Sequence, residues 1–349
     1  MNVKNRKLFS IIIISFNIAA WFSGCSSKNL GPNGTPSGSN MVNVYSSRYY
    51  DVDREIFKKF QDETGILVNI FEGKGEELVK KIVSKDDELN ADLLLTVGAE
   101  NIYSLRKKNI LQNIDSEIIN DNIPSQYRDT DWVGLTSWDR VIVYNNEKAA
   151  SDMIKTYEDL LRPEFRERVL VRSSESMYNV AMVESFIMLN GEEKTKEWAE
   201  GLVKNFARTP EGNDRDQVKA LIYGIGDVAL INSYYFGKVL NSTEEDDKKA
   251  AEKLGIVFPE NSHKNISFAV IPKESINKNN AIRLLEFLTS EYAQSTYSKE
   301  NLEFPLNPKA EVSEILQQWG NYSTQNINFG DLGEYENEAE KIFKAAEWK

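Results

Sequence analysis

Strand-like and helix-like segments alternate along residues 42–108, and this alternation constrains the fold more than any other feature of the sequence. VNVYSS, residues 42–47, alternates in polarity and predicts a strand. ADLLLTV, residues 91–97, is apolar almost throughout, as in parallel strands that are covered on both faces. A helix is predicted between them, from Asp51 to a stop at Gly65. The pattern predicts an α/β fold with a largely parallel sheet.

The second half of the chain continues in the same style without repeating the sequence. Further strands are predicted at residues 140–144, 168–172, 227–231, 254–259 and 265–272. A chain of 349 residues is longer than one typical core requires, so we expect two domains.

The N-terminus has the character of an export signal. Three basic residues precede a short apolar stretch at residues 8–20, which is too short for a comfortable membrane span and ends in FSGC. It resembles the bacterial lipoprotein signal, so residues 1–24 are predicted to be removed and Cys25 to carry a lipid. A plain signal peptide or a single anchoring helix remains the alternative. Residues 25–40 are rich in Ser, Gly, Asn and Pro and predict a flexible tether.

Composition excludes several classes of function. The net charge of −12 argues against nucleic-acid binding, which needs a basic face. No further long apolar run is present, which excludes a membrane channel. The chain has one histidine, His263, and one cysteine, Cys25, so zinc is disfavoured and no Ser-His or Cys-His catalytic arrangement is expected. We expect no enzyme, and we expect His263 at the rim of a cleft.

Tyrosines occur where three predicted strands end and helices begin. The three loops carry Tyr49 and Tyr50, then Tyr178, then Tyr234 and Tyr235. In open α/β sheets, loops at the carboxyl ends of strands form the ligand crevice. With 15 tyrosines in the chain, two Tyr-Tyr pairs are unremarkable by count, and half-buried packing explains such residues equally well. The residues alone leave both interpretations open.

Sequence motifs around these loops carry a resemblance to a known family. SSRYYD, RSSESMYN, GNDRDQVKALIYGIGDVALINSYYFGKVL and other segments, in order from about residue 42 to 308, closely resemble the ferric-iron-binding proteins of bacterial ABC importers. The resemblance implies an α/β fold of the two-lobed periplasmic-binding-protein type (class II), with lobes joined by crossing strands and with C-terminal helices. It also implies Fe³⁺ as the transported ligand, held in the cleft between the lobes.

The family's iron ligands correspond here to four tyrosines: Tyr50, Tyr178, Tyr234 and Tyr235. Tyr49 stands at a position often held by histidine, and it is a candidate fifth ligand or hydrogen-bond donor. Trivalent iron prefers hard anionic oxygen, and four phenolates would leave one excess negative charge. Arg48 is placed to compensate it, or to hold a synergistic anion such as carbonate, which the resemblance allows.

Other residues near the tyrosines are given structural roles. We expect Asp214 and Asp216 to pair with Arg215 or to cap the following helix. A loop arginine such as Arg172 is more often structural than a partner of the bound ion. Ser176 and Ser233 are predicted to be the N-caps of helices that carry tyrosines in their first turns.

The resemblance also implies domain organisation and partners. The predicted lobes are residues 41–136 plus 265–310, and residues 137–264 plus 311–349. We expect a monomer that is lipid-anchored on the extracytoplasmic side of a bacterial membrane and works with the permease and ATPase subunits of an ABC importer. The alternative function is binding of another small solute, such as an organic cation, a sugar or a phosphonate.

Overall fold

A computed structural model describes residues 40–84, 90–149 and 151–349. The predicted signal segment, Cys25 and all of the predicted tether except Asn40 lie outside the described residues. Within the described ranges, no helix has both the length and the apolar character needed to cross a membrane.

The described residues contain nine strands, numbered along the chain. They are β1 (Met41–Ser46), β2 (Leu67–Glu72), β3 (Leu93–Thr96), β4 (Val133–Asn145), β5 (Val169–Leu170), β6 (Val228–Asn232), β7 (Leu254–Val257), β8 (Lys264–Val270) and β9 (Phe304–Pro305).

Helices alternate with these strands, as predicted. They are α1 (Asp51–Thr64), α2 (Gly75–Ser84), α3 (Ala99–Lys107), α4 (Glu117–Asn122), α5 (Met177–Asn190), α6 (Glu192–Val203), α7 (Asp214–Ile222), α8 (Ser233–Leu240), α9 (Glu245–Ala251), α10 (Lys278–Leu288), α11 (Glu291–Thr296), α12 (Glu314–Gln318) and α13 (Glu336–Ala345). A 3₁₀ helix, Phe329–Tyr335, precedes α13.

The sheet is mixed, and the prediction of a largely parallel sheet is wrong. The order is β2-β1-β3-β8-β4-β6-β5, with β7 and β9 also paired to β4. β1 is parallel to β2 and β3, and β5 is parallel to β6. Every pairing of β4 and β8 is antiparallel. The apolar pattern of the strands correctly predicted which faces are buried. The pattern of a single strand does not show whether the strand that pairs with it, far away in the sequence, runs parallel or antiparallel.

Strand β4 belongs to both halves of the sheet. Its first half pairs with β8, and Arg140–Tyr144 pair with β6. The register on β8 shifts between Gly134 and Ser137, so the strand is irregular where it passes from one half to the other. We call the part built on β1, β2, β3 and β8 the first sheet, and the part built on β5, β6 and β7 the second sheet.

The two sheets have separate cores. The first core packs β1, β3 and β8 against α1, α3 and α10. In the second sheet, Ile142 and Leu230 face one core while Val141 and Ile231 face another, as the two-residue period of a strand requires. Near the C-terminus, Phe329 packs in the first core, whereas α13 packs in the second. The predicted lobe boundaries stay a prediction.

Helix α1 shows how a loop at the end of β1 is held in place. Its buried residues Ile56, Phe57 and Phe60 lie on one face, as the apolar spacing predicts. It ends at Gly65, which adopts the left-handed conformation (φ 68°) that glycine accepts without steric cost. The four residues between β1 and α1 therefore connect two well-packed elements, and Arg48, Tyr49 and Tyr50 lie among them.

Candidate functional site

Four of the five predicted tyrosines come together where the two sheets meet. Tyr178, from the first turn of α5, and Tyr234, from the first turn of α8, have hydroxyl oxygens 3.4 Å apart. The Tyr234 and Tyr235 ring centroids are 4.3 Å apart. We call Tyr178, Tyr234 and Tyr235 the second-sheet tyrosines. Tyr50, from the first sheet, is close enough to interact electrostatically with Tyr178 and Tyr234.

A buried tryptophan packs against two of the second-sheet tyrosines, Tyr178 and Tyr234. Trp138 of β4 is fully buried, and its ring meets Tyr178 and Tyr234 edge-on at centroid distances of 6.2 and 5.8 Å. Such edge-to-face contacts favour one ring orientation. Trp138 therefore limits the directions in which the two hydroxyl groups can point.

The N-cap of α8 lies one residue before the predicted position. The N-cap of α8 is Asn232, not Ser233. The Ser233 hydroxyl instead accepts a hydrogen bond from the backbone N–H of Asp139 at 3.2 Å. This bond joins the start of α8 to β4, next to Trp138. Ser176 is the N-cap of α5, as predicted, although its side chain makes no capping hydrogen bond.

A buried ionic network underlies Tyr178. Arg140 of β4 and Asp214 are both fully buried and form an ion pair at 3.2 Å. Asp214 also pairs with Arg172 at 3.1 Å, and the Arg172 guanidinium lies 5.2 Å from the centre of the Tyr178 ring. Arg140 also donates a hydrogen bond, at 2.8 Å, to the side chain of Asn179, the neighbour of Tyr178. The network thus contacts both the residue next to Tyr178 and the cation over its ring.

This network corrects the expectation for Asp214, which pairs with Arg140 and Arg172 and not with Arg215. Asp216 caps the following helix, as expected, in a reciprocal capping box with Asn213. Arg172 has the structural partner expected of it, and its guanidinium also lies over the ring of Tyr178, a predicted ligand. Neither contact could be inferred from local spacing, because Arg140 and Asp214 are 74 residues apart in sequence.

On the first sheet, Arg48 is buried beside Tyr50. Its guanidinium carbon lies 4.8 Å from the Tyr50 ring centre and 4.7 Å from that of Tyr297. Its Nε is 3.2 Å from Asp53 Oδ2, and Tyr297 donates a hydrogen bond to the other oxygen of Asp53 at 2.6 Å. The other two guanidinium nitrogens of Arg48, Nη1 and Nη2, have no hydrogen-bond partner among the described residues. A buried arginine in this state has donors available for an anion.

Glu303 is a site residue that the sequence reasoning missed. It is fully buried and interacts with the Tyr50 hydroxyl through a side-chain hydrogen bond. Its carboxylate also accepts hydrogen bonds from Thr136 of β4 and, at 2.7 Å, from Asn301. Thr136 and Glu303 are 167 residues apart, so no local pattern indicated the contact.

Tyr49 lies apart from the other four tyrosines. Its side chain is 59% exposed, and its φ of 50° is unusual for a residue that is not glycine. The turn that it makes directs the chain from β1 into α1 while Arg48 stays buried. The described geometry therefore brings Tyr50, but not Tyr49, to the cluster.

Burial keeps the phenol groups of Tyr50, Tyr178 and Tyr234 neutral at ordinary pH, because it raises the pKa of each. Burial raises the pKa of Tyr178 to about 12, although the hydrogen bond with Tyr234 lowers it. Burial, followed by the neighbouring tyrosines, raises the pKa of Tyr234 well above its usual value. For Tyr50 the causes are burial and then Glu303 and Tyr178. A cation placed among these oxygens would reverse these shifts, because it favours the phenolate form.

Basic side chains surround the second-sheet tyrosines on their outer faces. Besides Arg172, Arg215 lies 5.8 Å from the Tyr235 ring centre, and Lys238 lies 5.3 Å from that of Tyr234. The cluster therefore combines phenol oxygen donors with nearby positive charge that can offset negative charge on the phenolates.

Neither His263 nor a carboxylate cluster forms a metal site among the described residues. His263 is fully buried, hydrogen-bonded through Nδ1 to Gln325 at 3.1 Å, so its expected position at a cleft rim is wrong. Burial lowers its pKa to about 4. Among the described residues, no group of three or more His, Cys, Asp and Glu side chains is arranged to hold a metal ion.

Two α/β sheets that share a crossing strand, with a cluster of side chains from strand-end loops between them, define a two-lobed solute-binding protein. The chain belongs to the family of bacterial extracellular solute-binding proteins, whose model matches residues 89–324. Members of this family bind and deliver solutes, so the chain is a binding protein and not an enzyme.

Known relatives confirm the resemblance found in the sequence. The chain is 36% identical to iron uptake protein A1 of Synechocystis sp. (strain ATCC 27184 / PCC 6803 / Kazusa) over 99% of both chains. It is 25% identical to the major ferric iron-binding protein of Neisseria meningitidis serogroup A over 76% of this chain and 81% of that one. A solved structure of the Trichodesmium protein (IdiA, FutA) with iron and citrate superposes with a TM-score of 0.83, at 36% identity, covering 88% of this chain and 100% of that one.

Proposed function

We propose that this chain is the solute-binding component of an ABC importer for ferric iron, and that tyrosine phenolates hold the Fe³⁺. The proposed ligands are Tyr50, Tyr178, Tyr234 and Tyr235. The observation that carries the proposal is that three strand-end loops, from both sheets, bring these four phenol groups together. The relatives whose names include iron support the choice of ion.

The chemistry of the donor set suits a hard trivalent cation. Ferric iron prefers anionic oxygen, and the cluster offers phenol oxygens without a thiolate or imidazole among them. Each phenol must lose its proton on binding, and the charge of the ion drives that loss. Four phenolates around Fe³⁺ leave one excess negative charge. Arg172, Arg215 and Lys238 lie close enough to the rings to offset it.

Arg48 has a separate proposed role on the first sheet. Its Nε is paired with Asp53, but Nη1 and Nη2 have no hydrogen-bond partner among the described residues, and the guanidinium lies against Tyr50. It would compensate the charge of a Tyr50 phenolate, or hold a synergistic anion such as carbonate beside the ion. Tyr49 stays a proposed additional donor only if the loop between β1 and α1 rearranges, because its side chain is exposed here.

The cellular role follows from the family and the N-terminal signal. We propose a lipid on Cys25, a tether of residues 25–40, and delivery of iron as a monomer to the permease and ATPase subunits of the importer. The two predicted lobes would close on the ion, since Tyr50 belongs to the first sheet and the other ligands to the second.

Retention of metal after loading tests this function. Apo protein is incubated with ferric citrate, desalted, and analysed for iron and protein by elemental analysis. We expect one iron per chain, and no comparable retention of Zn²⁺ or Ca²⁺. Protein that retains no iron, while remaining folded by circular dichroism, would overturn the proposed function.

A further inference from the structure

The residues that follow α13 contact the loop that leads into α5, at residues 171–176. The indole Nε1 of Trp348 donates a hydrogen bond to the backbone oxygen of Arg172 at 3.0 Å. The backbone N–H of Ser174 donates another, also at 3.0 Å, to the backbone oxygen of Lys349. Trp348 and Arg172 are 176 residues apart, so only the fold brings them together. The loop before α5 is therefore held by a segment from the other end of the chain.

Arg172 connects this contact to a proposed iron ligand. Its backbone oxygen also accepts a hydrogen bond, at 2.9 Å, from the side chain of Asn179 in the first turn of α5. Its guanidinium pairs with Asp214 at 3.1 Å and lies 5.2 Å from the centre of the Tyr178 ring. Trp348 thus bonds to the one residue that contacts both the start of α5 and the ring of Tyr178. A shift of the Arg172 backbone would disturb both contacts.

Trp348 reaches the loop because α13 ends in a turn of unusual composition. The backbone N–H of Trp348 donates to the Phe343 oxygen at 3.0 Å, and that of Glu347 donates to the Lys344 oxygen at 3.3 Å. These are the two bonds of a Schellman motif. Glu347 has a φ of 58°, at the position of this motif where glycine is usual. A residue other than glycine keeps this conformation where the surrounding structure determines it, which here includes the contacts of Trp348.

Packing explains the ring of Trp348, but not the place where its N–H bonds. The ring is 3% exposed, and its centroid lies 6.1, 5.2 and 5.2 Å from those of Trp198, Phe206 and Phe343. A buried indole N–H needs an acceptor, because burial without one costs free energy. In the same aromatic group, Trp198 donates to the backbone oxygen of Tyr157 at 3.3 Å. Both indoles are satisfied, but only the Trp348 bond is made to the loop before α5.

We propose that Trp348 is a positioning residue of the iron site, which holds Tyr178 in place through Arg172 and the loop before α5. This inference rests on the proposed function, because it takes Tyr178 as an iron ligand. Without the indole N–H, all four proposed ligands remain, but Tyr178 is less well oriented. Partners that orient metal ligands contribute about 10-fold to 100-fold to metal affinity. Trp348 acts one residue further from the ion, so we expect an effect of about fivefold.

The experiment measures ferric affinity by chelator competition in the full chain, in Trp348→Phe and in Trp198→Phe. Each substitution keeps an aromatic ring in the same core and removes one indole N–H that bonds to a backbone oxygen. We expect Trp348→Phe to weaken ferric binding about fivefold and to shift the maximum of the iron–phenolate absorption band, because the phenolate of Tyr178 changes its orientation. Trp198→Phe is the matched control and should change affinity less than about twofold with an unmoved band, although it should lower the melting temperature to a similar extent.

A second pair of variants tests the same role from an exposed position. Glu347→Val places a β-branched residue in a left-handed conformation that such residues avoid, so the turn that directs Trp348 should be disturbed. Glu347→Gly keeps the turn, because glycine adopts this conformation without steric cost. We expect ferric affinity to fall about threefold in Glu347→Val and to stay within about twofold of wild type in Glu347→Gly. This pair decides the question if Trp348→Phe does not fold.

A double substitution shows whether Trp348 acts through Tyr178. In the Tyr178→Phe background, Trp348→Phe should cause no further loss of ferric affinity, since the oxygen that it positions is already absent. The inference is overturned if folded Trp348→Phe binds iron as wild type does, if Trp198→Phe loses as much affinity, or if the loss is the same with and without the Tyr178 hydroxyl. With Trp348→Phe unfolded, equal affinity in the two Glu347 variants has the same meaning. Wild-type protein that retains no iron would instead overturn the proposed function, and this inference with it.

Discussion

The second-sheet tyrosines and Tyr50 are held in different ways. The hydroxyl groups of Tyr178 and Tyr234 face each other at 3.4 Å over Trp138, and the Arg140–Asp214 ion pair fixes the loop beneath them. The Tyr50 hydroxyl is instead engaged by the Glu303 carboxylate. With the proposed ligands, Tyr178 and Tyr234 would give up only the long contact with each other, whereas Tyr50 would exchange a hydrogen bond to a buried carboxylate for a metal bond. The second sheet should therefore supply most of the affinity, and the first sheet should complete the coordination.

The largest expected effect is that of pH. Burial raises the pKa of Tyr178 to about 12 and raises those of Tyr50 and Tyr234 above the usual value, so each of these phenols releases one proton when it becomes a phenolate. Protons and iron compete for the same oxygens, so ferric affinity should fall as pH falls, by about tenfold per pH unit for each proton released. Competition titrations with a chelator at several pH values measure the slope. A slope of zero, after correction for iron hydrolysis, would contradict phenolate binding.

Removing an oxygen from the second-sheet tyrosines should have the next largest effect. Tyr178→Phe and Tyr234→Phe keep the ring contacts with Trp138, so stability should change little. We expect ferric affinity to fall by more than about 100-fold, since changes to residues that only orient metal ligands already cost 10-fold to 100-fold. Tyr144→Phe is the control, because Tyr144 packs in a core of the second sheet. Loss of binding in Tyr144→Phe but not in Tyr178→Phe would show that the ligands are wrongly assigned.

The ionic network of Arg140, Asp214 and Arg172 should contribute to ferric affinity by positioning Tyr178. Asp214→Asn removes the charged partner of buried Arg140 and of Arg172. We expect a loss of about 3–5 kcal/mol in the free energy of unfolding and a fall of roughly tenfold in ferric affinity. Asp216→Asn, two residues further on, disturbs only the cap of α7 and should cost about 1 kcal/mol with unchanged affinity. Equal ferric affinity in wild type and Asp214→Asn would exclude the positioning role.

The smallest effects should come from the loop after β1. Tyr50→Phe should lower ferric affinity by roughly tenfold, less than either second-sheet substitution, because binding must displace the bond to Glu303. Tyr49→Phe should change it less than about twofold, since this side chain is 59% exposed and outside the cluster. A larger loss in Tyr49→Phe than in Tyr50→Phe would reverse the assignment of these neighbours.

Local features of the fold could be predicted from the sequence. The apolar face of α1 and its stop at Gly65 follow from spacing and backbone chemistry, and both are confirmed. The placement of tyrosines at strand ends was also predictable, because strand and loop signals are local. The mixed sheet was not, since the partner of β4 that makes it antiparallel lies more than one hundred residues away.

The same limit applies to the site. The sequence indicated Tyr50, Tyr178, Tyr234 and Tyr235 through motifs, but not the residues that hold them. Glu303 reaches Tyr50 only because β9 pairs with β4, and the burial of His263 depends on Gln325, 62 residues later. Such contacts depend on tertiary packing, which the periodicity of helices and strands in the sequence does not predict.

The visible absorption spectrum during ferric loading tests the central claim most directly. A phenolate bound to Fe³⁺ has a ligand-to-metal charge-transfer band, whereas iron bound only by carboxylates or water lacks this visible colour. We predict a red to purple band that saturates at one equivalent of iron, weakens in Tyr178→Phe, and disappears when a strong chelator removes the metal. Protein that retains one equivalent of Fe³⁺ and remains colourless would contradict tyrosine coordination.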